Sequence, residues 1–530
     1  MRVLVADPIA EEGVERLRQV ATVDVKPKLS VEELCREVEQ YDALVVRSQT
    51  TVTAEIIEHG RNLRVIGRAG VGVDNIDVDA ATRCGIVVVN APSGNTVSAA
   101  EHTLALMLSL ARNVTQADAQ LRAGVWARSK LTGSELRNKT LGIVGLGNIG
   151  TQVAVRAQSF EMRTIAYDPF VSSDYARTYK VGLVSLKQLL GEADFITLHV
   201  PLSPATRNLI GPAELARMKP TTRIINCARG GVVDEEAVAA ALDAGKLAGA
   251  AFDVFTTEPP TGSPLLATPR SVLTPHLGAS TVEAQTNVAL DIAEQVLTVL
   301  QGRMSKHAVN VPHGSPEVLP FVRMSTTVGG FAGQLMEGQL ARVNIRYGGE
   351  LADSDCEPLK AAVISGVLQQ ATEDRVNLVN AGLVARQRGL RVAEENDPAC
   401  ESYSNLLTVT LETDTGKTTV SGTVRDDEVH IVQVNDFWMD LHLAEGHFLF
   451  CDHIDGPGLV GAIGTLLGEA NINISSMHLS RLTPRGKALL IMALDEPLGE
   501  AQRQQILAVP NIHTAKTVSL GHAGLSRGAD

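Results

Sequence analysis

Runs of β-branched and other apolar residues recur through the first 280 residues, separated by stretches with helical periodicity. Before residue 98 the strand-like runs are RVLVAD, ATVDVKP, DALVVRS, LRVIGRAG and IVVVNAP. A second series predicts strands at 140–144, 163–167, 194–200, 222–227, 248–254 and 271–274. Continuous apolar runs are typical of parallel strands that are buried on both faces. The pattern therefore predicts an α/β fold with two doubly wound parallel sheets, one after the other.

The stretch 283–302 has helical periodicity and follows the last strand of the second series. We expect this helix to cross back to the first sheet, so that both domains are discontinuous in sequence. After it, the stretch 307–320 is rich in proline and polar residues, as is typical of a linker. The predicted domains are residues 1–98 with 284–310, residues 99–283, residues 318–445 and residues 447–530.

The two C-terminal regions have patterns of their own. Residues 318–445 predict a third α/β domain, with a helix over 356–374 and strands over 406–414, 417–424 and 429–436. This region offers no convincing catalytic group. The pattern over 447–520 is strand, helix, strand, strand, helix, strand, which is the βαββαβ order of ferredoxin-like domains.

Composition narrows the possible functions. With 44% hydrophobic and 20% charged residues, the sequence is typical of a soluble globular protein. The net charge of −13 argues against general nucleic-acid binding, and an anionic substrate would need local cations. The six cysteines form no C-x-x-C pair, so we expect no disulfide framework, no metal site and a reducing cytoplasm. The apolar run 103–111 is too short to span a membrane.

The stretch TLGIVGLGNIG fits G-x-G-x-x-G with Gly145, Gly147 and Gly150, between a predicted strand and a predicted helix. In this context two glycines let the backbone approach a pyrophosphate, and the third lets helix and strand pack closely. The helix N-terminus would then face the phosphates. An ordinary tight turn is the alternative.

The strand predicted at 163–167 leads into Asp168, which lies about 20 residues beyond the glycines. An acidic residue at this spacing binds the ribose hydroxyls of a dinucleotide. Because a carboxylate there would repel a 2′-phosphate, NAD is favoured over NADP. A turn aspartate before Pro169 is the alternative.

Three polar residues follow predicted strands of the second series: Arg229 after IINCA, Glu258 after FDVFTT and His276 after VLTP. Ligands of open α/β sheets bind beyond these strand ends. An arginine can hold an α-carboxylate through two hydrogen bonds, a histidine can exchange a hydroxyl proton, and a glutamate can fix the tautomer of that histidine. Each residue alone is more often structural, but the conjunction predicts hydride transfer on a 2-hydroxy acid.

Five stretches carry a resemblance to a known family: RAGVGVDNID (68–77), GIVGLGNIG (142–150), NCARGGVVDE (226–235), AFDVFTTEPP (251–260) and TPHLGAS (274–280). With them the chain resembles the D-isomer-specific 2-hydroxyacid dehydrogenases over essentially all 530 residues. The resemblance implies that Arg229, Glu258 and His276 are catalytic. It also implies that NAD contacts the glycine turn and a further set of residues: Asn148, Ile149, Asp168, Cys227, Ala228, Asp253, Gly278 and Ala279. Among these, Asp253 would meet the nicotinamide carboxamide.

Within that family the resemblance is to the long members that oxidise 3-phosphoglycerate to 3-phosphooxypyruvate and so begin L-serine biosynthesis. The stretches VRSQT, SGNT and WARSK would supply substrate-side residues: Arg47, Asn95, Arg128 and Lys130. The WARSK loop would reach a neighbouring subunit of a homodimer or homotetramer, or it is simply a solvated turn. Other substrates, such as glycerate or hydroxypyruvate, and a role as an NAD-sensing corepressor remain alternatives.

The βαββαβ tail resembles the ACT domain, a module that commonly binds amino acids. In HIDGPGLVGAIG, Asp455 precedes a Pro-Gly turn at a helix start, where it would face the ammonium of an effector such as L-serine. Asn473 would contribute across an interface. A purely dimerising domain is the alternative, and the region 318–445 resembles an assembly or second regulatory element.

Overall fold

Four β-sheets, one after another along the chain, organise the described part of the protein. The computed structural model describes residues 1–369, 372, 375–400, 403–442 and 446–520. Residues 443–445 and 521–530, which belong to the predicted third and fourth domains, lie outside the described residues, as does part of the predicted helix 356–374.

The first sheet has five parallel strands in the order β2-β1-β3-β4-β5. Its strands are Arg2–Val5 (β1), Thr22–Val25 (β2), Ala43–Val46 (β3), Val65–Arg68 (β4) and Val87–Asn90 (β5). The connecting helices are Glu11–Arg18 (α1), Val31–Val38 (α2), Ala54–His59 (α3) and Val78–Arg83 (α4). Each strand falls within a predicted run. Helix α2 begins where the sequence offers a capping box, since Ser30 and Glu33 each satisfy the other's backbone N–H.

The second sheet has seven parallel strands in the order β12-β11-β10-β9-β6-β7-β8. They are Thr140–Val144 (β6), Arg163–Tyr167 (β7), Gly182–Leu183 (β8), Phe195–Leu198 (β9), Arg223–Asn226 (β10), Gly249–Phe252 (β11) and Ser271–Leu273 (β12). Its helices are Thr96–Arg112 (α5), Val114–Arg122 (α6), Asn148–Ser159 (α7), Ser173–Thr178 (α8), Leu186–Glu192 (α9), Pro212–Leu215 (α10) and Glu235–Asp243 (α11). The doubly wound prediction is confirmed, and β6 lies where the strand order reverses, which is the expected ligand crevice.

Helix Val282–Leu300 (α12) returns to the first sheet. Its residues Val288, Ile292 and Val296 share one buried core with Val3 and Val5. The predicted boundaries at 98/99 and 283/284 fall inside α5 and α12, so both inter-domain connections are helical. Residues 308–310 then run beside β5, through an antiparallel bridge of Ala308 with Val89 and a hydrogen bond from the Val309 N–H to the Val88 carbonyl.

The third sheet is mixed, with the order β14-β13-β15-β16-β17-β18. Its strands are Leu340–Gly349 (β13), Arg391–Asp397 (β14), Asn405–Thr413 (β15), Lys417–Arg425 (β16), Glu428–Val434 (β17) and Phe437–His442 (β18). Only β13 and β14 pair in parallel. The helices are Val322–Leu335 (α13), Glu357–Leu368 (α14) and Ala381–Gln387 (α15).

The fourth sheet is antiparallel, with the order β20-β21-β19-β22, and it confirms the βαββαβ prediction. Its elements are Gly446–Ile454 (β19), Leu459–Glu469 (α16), Ile474–Arg481 (β20), Lys487–Leu494 (β21), Glu500–Leu507 (α17) and Ile512–Leu520 (β22). Phe331 of α13 packs against Phe448 and Phe450, so the third and fourth sheets share one core. Among the described residues, no helix is both long enough and apolar enough to span a bilayer.

Candidate active site

A cavity of about 320 Å³ opens between the carboxyl ends of the first and second sheets. It brings together all three predicted catalytic residues, Arg229, Glu258 and His276. It is also lined by eight other residues named from the sequence: Arg47, Asn95, Ile149, Cys227, Ala228, Asp253, Gly278 and Ala279. We call this cavity the cleft.

His276 and Glu258 are joined by a direct hydrogen bond. The imidazole Nδ1 lies 2.8 Å from Glu258 Oε2, while Glu258 Oε1 accepts the Phe255 N–H at 3.1 Å. Burial works to raise the pKa of Glu258, but the hydrogen bonds from His276 and Phe255 outweigh it, so this pKa lies below its ordinary value. An ionised carboxylate here fixes the hydrogen on Nδ1 and leaves Nε2 free to accept a proton.

The backbone of the His276 loop is held by the buried carboxylate of Asp253. Asp253 accepts the Leu277 N–H at 2.7 Å, the Gly278 N–H at 2.8 Å and the Thr274 hydroxyl at 2.6 Å. Burial works to raise the pKa of Asp253, yet these bonds and His102 lower it below its ordinary value. The predicted contact of Asp253 with a nicotinamide carboxamide remains a prediction. The structure shows that this carboxylate positions the loop.

His102 of α5 was not singled out in the sequence. Its Nε2 lies 3.0 Å from Asp253 Oδ1 and 3.1 Å from the Thr274 hydroxyl. The helical pattern does not predict this contact, because His102 lies in an apolar helix more than 150 residues from its partner. Cys227, also in the cleft lining, is a buried thiol whose burial raises its pKa to about 12.

Arg229 reaches across the cleft from the end of β10. Its Nε donates to Asp74 Oδ2 at 3.2 Å, and its Nη1 donates to the Ala228 carbonyl at 2.7 Å. Asn226 supports this turn by donating to the Arg229 carbonyl at 3.0 Å. A Cβ atom at Gly72 would lie 2.3 Å from Arg229 Nη2, so a side chain here would displace the end of the Arg229 side chain.

Two further arginines from the first sheet line the cleft. Arg47 follows β3, and Arg68 ends β4 at the head of the stretch RAGVGVDNID. Burial, together with the nearby guanidinium of Arg229, lowers the pKa of Arg68 to about 10. The Nε of Arg68 is buried without a hydrogen-bond partner among the described residues. Arg68 was missed as a site residue, although it opens a stretch that the sequence already marked as characteristic.

The glycine turn has the geometry that a dinucleotide requires. Gly145 has φ +94°, and a Cβ at Gly150 would lie 2.1 Å from the Gly145 carbonyl oxygen. In contrast, a Cβ at the exposed Gly147 would meet nothing within 4 Å. The space beside Gly147 and the start of α7 at Asn148 therefore fit a pyrophosphate.

Asp168 lies against the same turn. Its Oδ2 accepts the Leu146 N–H at 2.8 Å and its Oδ1 accepts the Phe170 N–H at 2.9 Å. These bonds fix the carboxylate at the end of β7, and each oxygen keeps a lone pair for a ribose hydroxyl. The residues of this edge thus fit NAD.

The remaining predicted substrate-side residues lie in two different places. Asn95 lines the cleft, and its Oδ1 is buried without a partner among the described residues. Arg128 and Lys130 form a 3-10 turn that does not belong to the described lining of the cleft, beside a Trp126 that is 82% exposed.

The two predicted effector residues are both engaged within the fourth domain. Asp455 accepts from Arg481 Nη1 at 3.0 Å and from the Arg485 N–H at 3.3 Å. Asn473 donates to Asp495 Oδ2 at 2.6 Å. An effector ammonium at Asp455 would therefore compete with the Arg481 guanidinium.

Comparisons with known proteins agree with this geometry. Residues 104–278 match the family described as "D-isomer specific 2-hydroxyacid dehydrogenase, NAD binding domain", and residues 317–435 match "D-3-phosphoglycerate dehydrogenase intervening domain". A Synechocystis protein named D-3-phosphoglycerate dehydrogenase is 46% identical over 98% of this chain and 95% of its own length. A Bacillus subtilis protein of the same name is 38% identical over 98% of this chain and 99% of its own.

Solved structures resemble the first two domains. The TT0316 protein of Thermus thermophilus is 37% identical with a TM-score of 0.54, and the match covers 58% of this chain and 100% of that one. A D-lactate dehydrogenase from Aquifex aeolicus, solved with NAD and lactic acid, is 27% identical with a TM-score of 0.52, covering 57% of this chain and 96% of that one.

Proposed function

Because the chain belongs to the D-isomer-specific 2-hydroxyacid dehydrogenase family and is an NAD-dependent dehydrogenase, we propose that it oxidises 3-phospho-D-glycerate to 3-phosphooxypyruvate, the first step of L-serine biosynthesis. The observation that carries the proposal is the grouping of Arg47, Arg68 and Arg229 around the pair of His276 and Glu258. The substrate has two anionic groups, a carboxylate and a phosphate, and the cleft offers cations for both. The names of the full-length relatives support the same substrate.

In this proposal the arginines bind different anionic groups of the substrate. Arg229 exchanges Asp74 for the substrate carboxylate, which its planar guanidinium can hold through two hydrogen bonds. Arg47 and Arg68 face the phosphate, and Asn95 offers its unpaired Oδ1 to a substrate hydroxyl. The unpaired Nε of Arg68 supports this assignment, because a buried donor without a partner is costly unless a ligand satisfies it.

The chemical step uses the histidine pair. His276 Nε2 takes the C2 hydroxyl proton, the C2–H bond breaks, and C2 becomes a ketone. NAD, when bound, supplies the acceptor for the hydride. Glu258 stabilises the imidazolium while Asp253 keeps the loop in place. NAD would be held by the glycine turn and the strand end beside it, at Gly145, Gly147, Asn148, Gly150 and Asp168. Five further residues would lie beside the cofactor: Ile149, Cys227, Ala228, Gly278 and Ala279.

The substrate is tested by following NADH formation with 3-phosphoglycerate, glycerate and lactate. A charged hydrogen bond contributes about 1.5–3 kcal/mol, so kcat/KM should favour 3-phosphoglycerate over glycerate by at least about tenfold. Arg68→Gln should narrow this preference by lowering kcat/KM for the phosphorylated substrate alone. Equal use of glycerate by the unaltered protein would contradict the proposed substrate.

We also propose that the protein is a cytoplasmic homodimer or homotetramer under amino-acid control. Trp126, Arg128 and Lys130 form an exposed turn outside the cleft of their own chain, which suits a loop that reaches a neighbouring subunit. All six cysteines are free, in keeping with a reducing compartment. L-Serine would bind the ACT-like domain near Asp455 and Asn473 and lower the activity at a distance.

Serine binding is tested by calorimetry on the full-length protein and on Asp455→Ala, with D-serine as the control ligand. L-Serine should bind the unaltered protein and bind the variant at least about tenfold more weakly, because a charged hydrogen bond to the ammonium is lost. Equal binding by both proteins would remove Asp455 from the site. If neither protein bound L-serine, L-serine would not be the effector of this domain.

A further inference from the structure

A second cavity, of about 470 Å³, lies at the amino ends of the strands of the second sheet. Its lining comes from the segments that lead into β6, β9, β10, β11 and β12. The cleft lies at the opposite, carboxyl edge of this sheet. Strands of four or five residues separate the two edges by about 15 Å, so this cavity is distinct from the proposed catalytic site. We call it the amino-edge cavity.

Three cations line the amino-edge cavity: Lys139, Arg223 and Arg270. Within the described residues, none of them forms an ion pair with a carboxylate. Arg223 donates only to the Thr221 carbonyl, at 3.3 Å, and stacks on Phe195 with its guanidinium carbon 5.5 Å from the ring centre. Arg270 donates to a backbone carbonyl at 3.5 Å. Three cationic side chains thus line one cavity without a direct ion pair to a carboxylate among the described residues, in a protein whose net charge is −13.

The carboxylate in the lining, Asp194, forms its direct ion pair with Lys219 rather than with these cations, although its charge also attracts Lys139. Its Oδ1 accepts from Lys219 Nζ at 3.0 Å, and its Oδ2 accepts the Thr140 N–H at 2.9 Å. Burial works to raise the pKa of Asp194, but these bonds lower it below its ordinary value. Its negative charge is therefore present and is paired directly with Lys219.

Two further features of the amino-edge cavity suit an anionic ligand. The hydroxyl oxygen of Ser134 is buried in this lining without a hydrogen-bond partner among the described residues. A buried hydroxyl that lacks a partner costs free energy, and a ligand oxygen would satisfy it. Burial also lowers the pKa of Arg223, as expected for a guanidinium that no anion compensates.

We propose that the amino-edge cavity is a binding site for a phosphate dianion, either free phosphate or the phosphate group of a small phosphorylated metabolite. Arg223 and Arg270 bind its oxygens through paired N–H donors, Lys139 adds a point charge, and the Ser134 hydroxyl donates to one oxygen. A volume of about 470 Å³ is of the size that small-molecule sites have, so a monoester fits as well as the bare ion.

The test is titration calorimetry of the full-length protein, saturated with NADH, at constant ionic strength set with chloride. Inorganic phosphate and glycerol 3-phosphate serve as probes. Because we assign Arg68 of the cleft to the substrate phosphate, each probe is also titrated into Arg68→Gln, to separate the two sites. Tighter binding of glycerol 3-phosphate than of phosphate would identify a metabolite as the ligand, and equal binding would identify the free ion.

We expect the combined variant Arg223→Gln, Arg270→Gln to bind phosphate at the second site at least about tenfold more weakly, whereas Arg68→Gln keeps that site. Arg217→Gln, an exposed arginine of the same domain outside the lining, is the matched control and should bind as the unaltered protein does. Since Arg223 also packs on Phe195, Lys139→Gln is a second variant that leaves this stacking intact and should weaken binding as well. Unchanged binding in Lys139→Gln, or loss of all phosphate binding in Arg68→Gln, would overturn the proposal.

Discussion

The position of His276 depends on hydrogen bonds between the backbone of its loop and Asp253, rather than on bonds of its own side chain. Its backbone has φ +57°, a left-handed conformation that is uncommon for a side-chain-bearing residue. The loop keeps this conformation because Asp253 accepts the Leu277 and Gly278 N–H groups and the Asp253 carbonyl accepts the His276 N–H. The imidazole is thereby aimed at Glu258, so the geometry of the acid–base pair is fixed before substrate binds.

For this pair we predict that His276→Ala lowers kcat by about 10²–10⁴, the usual contribution of a positioned acid–base group. Glu258→Gln should lower kcat less, because glutamine keeps a hydrogen bond but cannot neutralise the imidazolium. Steady-state kinetics and NADH fluorescence titrations measure both effects. NADH binding should be unchanged in each variant. A loss of NADH affinity that matched the loss in rate would indicate a disrupted loop instead.

The arrangement of this pair should also depend on pH. The folded pKa of Glu258 lies below its ordinary value, so its carboxylate adds stability that is present above the unfolded pKa. That stability is lost as the pH falls through the folded pKa. The contribution is therefore constant across neutral and alkaline pH and disappears only in acid.

At the scale of an element, the turn between β6 and α7 contains glycines with two different roles. Gly150 allows close packing, and Gly147 leaves space for the proposed pyrophosphate. We predict that Gly150→Ala lowers stability by about 1–3 kcal/mol, since its Cβ would collide with the Gly145 carbonyl and push the helix away. Gly147→Ala should leave the melting temperature unchanged, because its Cβ meets no protein atom. It should still weaken NADH binding, because the methyl group occupies the proposed pyrophosphate space.

Thermal melting and NADH fluorescence distinguish these two effects, and each glycine variant serves as the control for the other. If Gly147→Ala bound NADH as tightly as the unaltered protein, the pyrophosphate would not lie beside that residue.

The sequence pattern predicted elements well where burial alone decides them. Strands β6 and β7 match their predicted ranges residue for residue, because both faces are buried and the apolar run ends where the strand ends. Strand β14, RVAEEND, was missed because most of it is exposed at a sheet edge, so no apolar pattern marks it. Helix α13 was not predicted, and its three glycines lower its intrinsic helical propensity. In the structure Gly329 lies against the Val363 carbonyl, where a Cβ would approach within 2.3 Å.

The three residues that we assign to catalysis could be proposed from the sequence because each follows a recognisable strand, whereas Arg68 and His102 make contacts between domains or with distant segments. Arg68 reaches the cleft from β4, and its neighbour Arg229 belongs to the other domain. This proximity depends on how the two domains pack against each other, and a strand or helix pattern does not predict that packing.

At the scale of the whole molecule, the two halves of the cleft are joined by an ion pair between Asp74 and Arg229, which the substrate carboxylate would replace in the proposed function. Asp74 of the first domain pairs with Arg229 of the second at 3.2 Å, and the Asp74 side chain is 66% exposed. An exposed ion pair of this kind contributes little to stability. Its carboxylate, however, occupies the guanidinium that we assign to the substrate carboxylate.

We therefore predict that Asp74→Asn changes the free energy of unfolding by less than about 1 kcal/mol and lowers KM for 3-phosphoglycerate by up to about fivefold. The substrate no longer competes with a resident carboxylate, and kcat should stay nearly constant because the histidine pair is untouched. Asp79→Asn, an exposed aspartate of the same domain outside the cleft lining, is the control. Steady-state kinetics at two ionic strengths check the prediction, since the advantage of the variant should shrink as salt screens the competing charges. A higher KM in Asp74→Asn would mean instead that Asp74 holds Arg229 in its binding position.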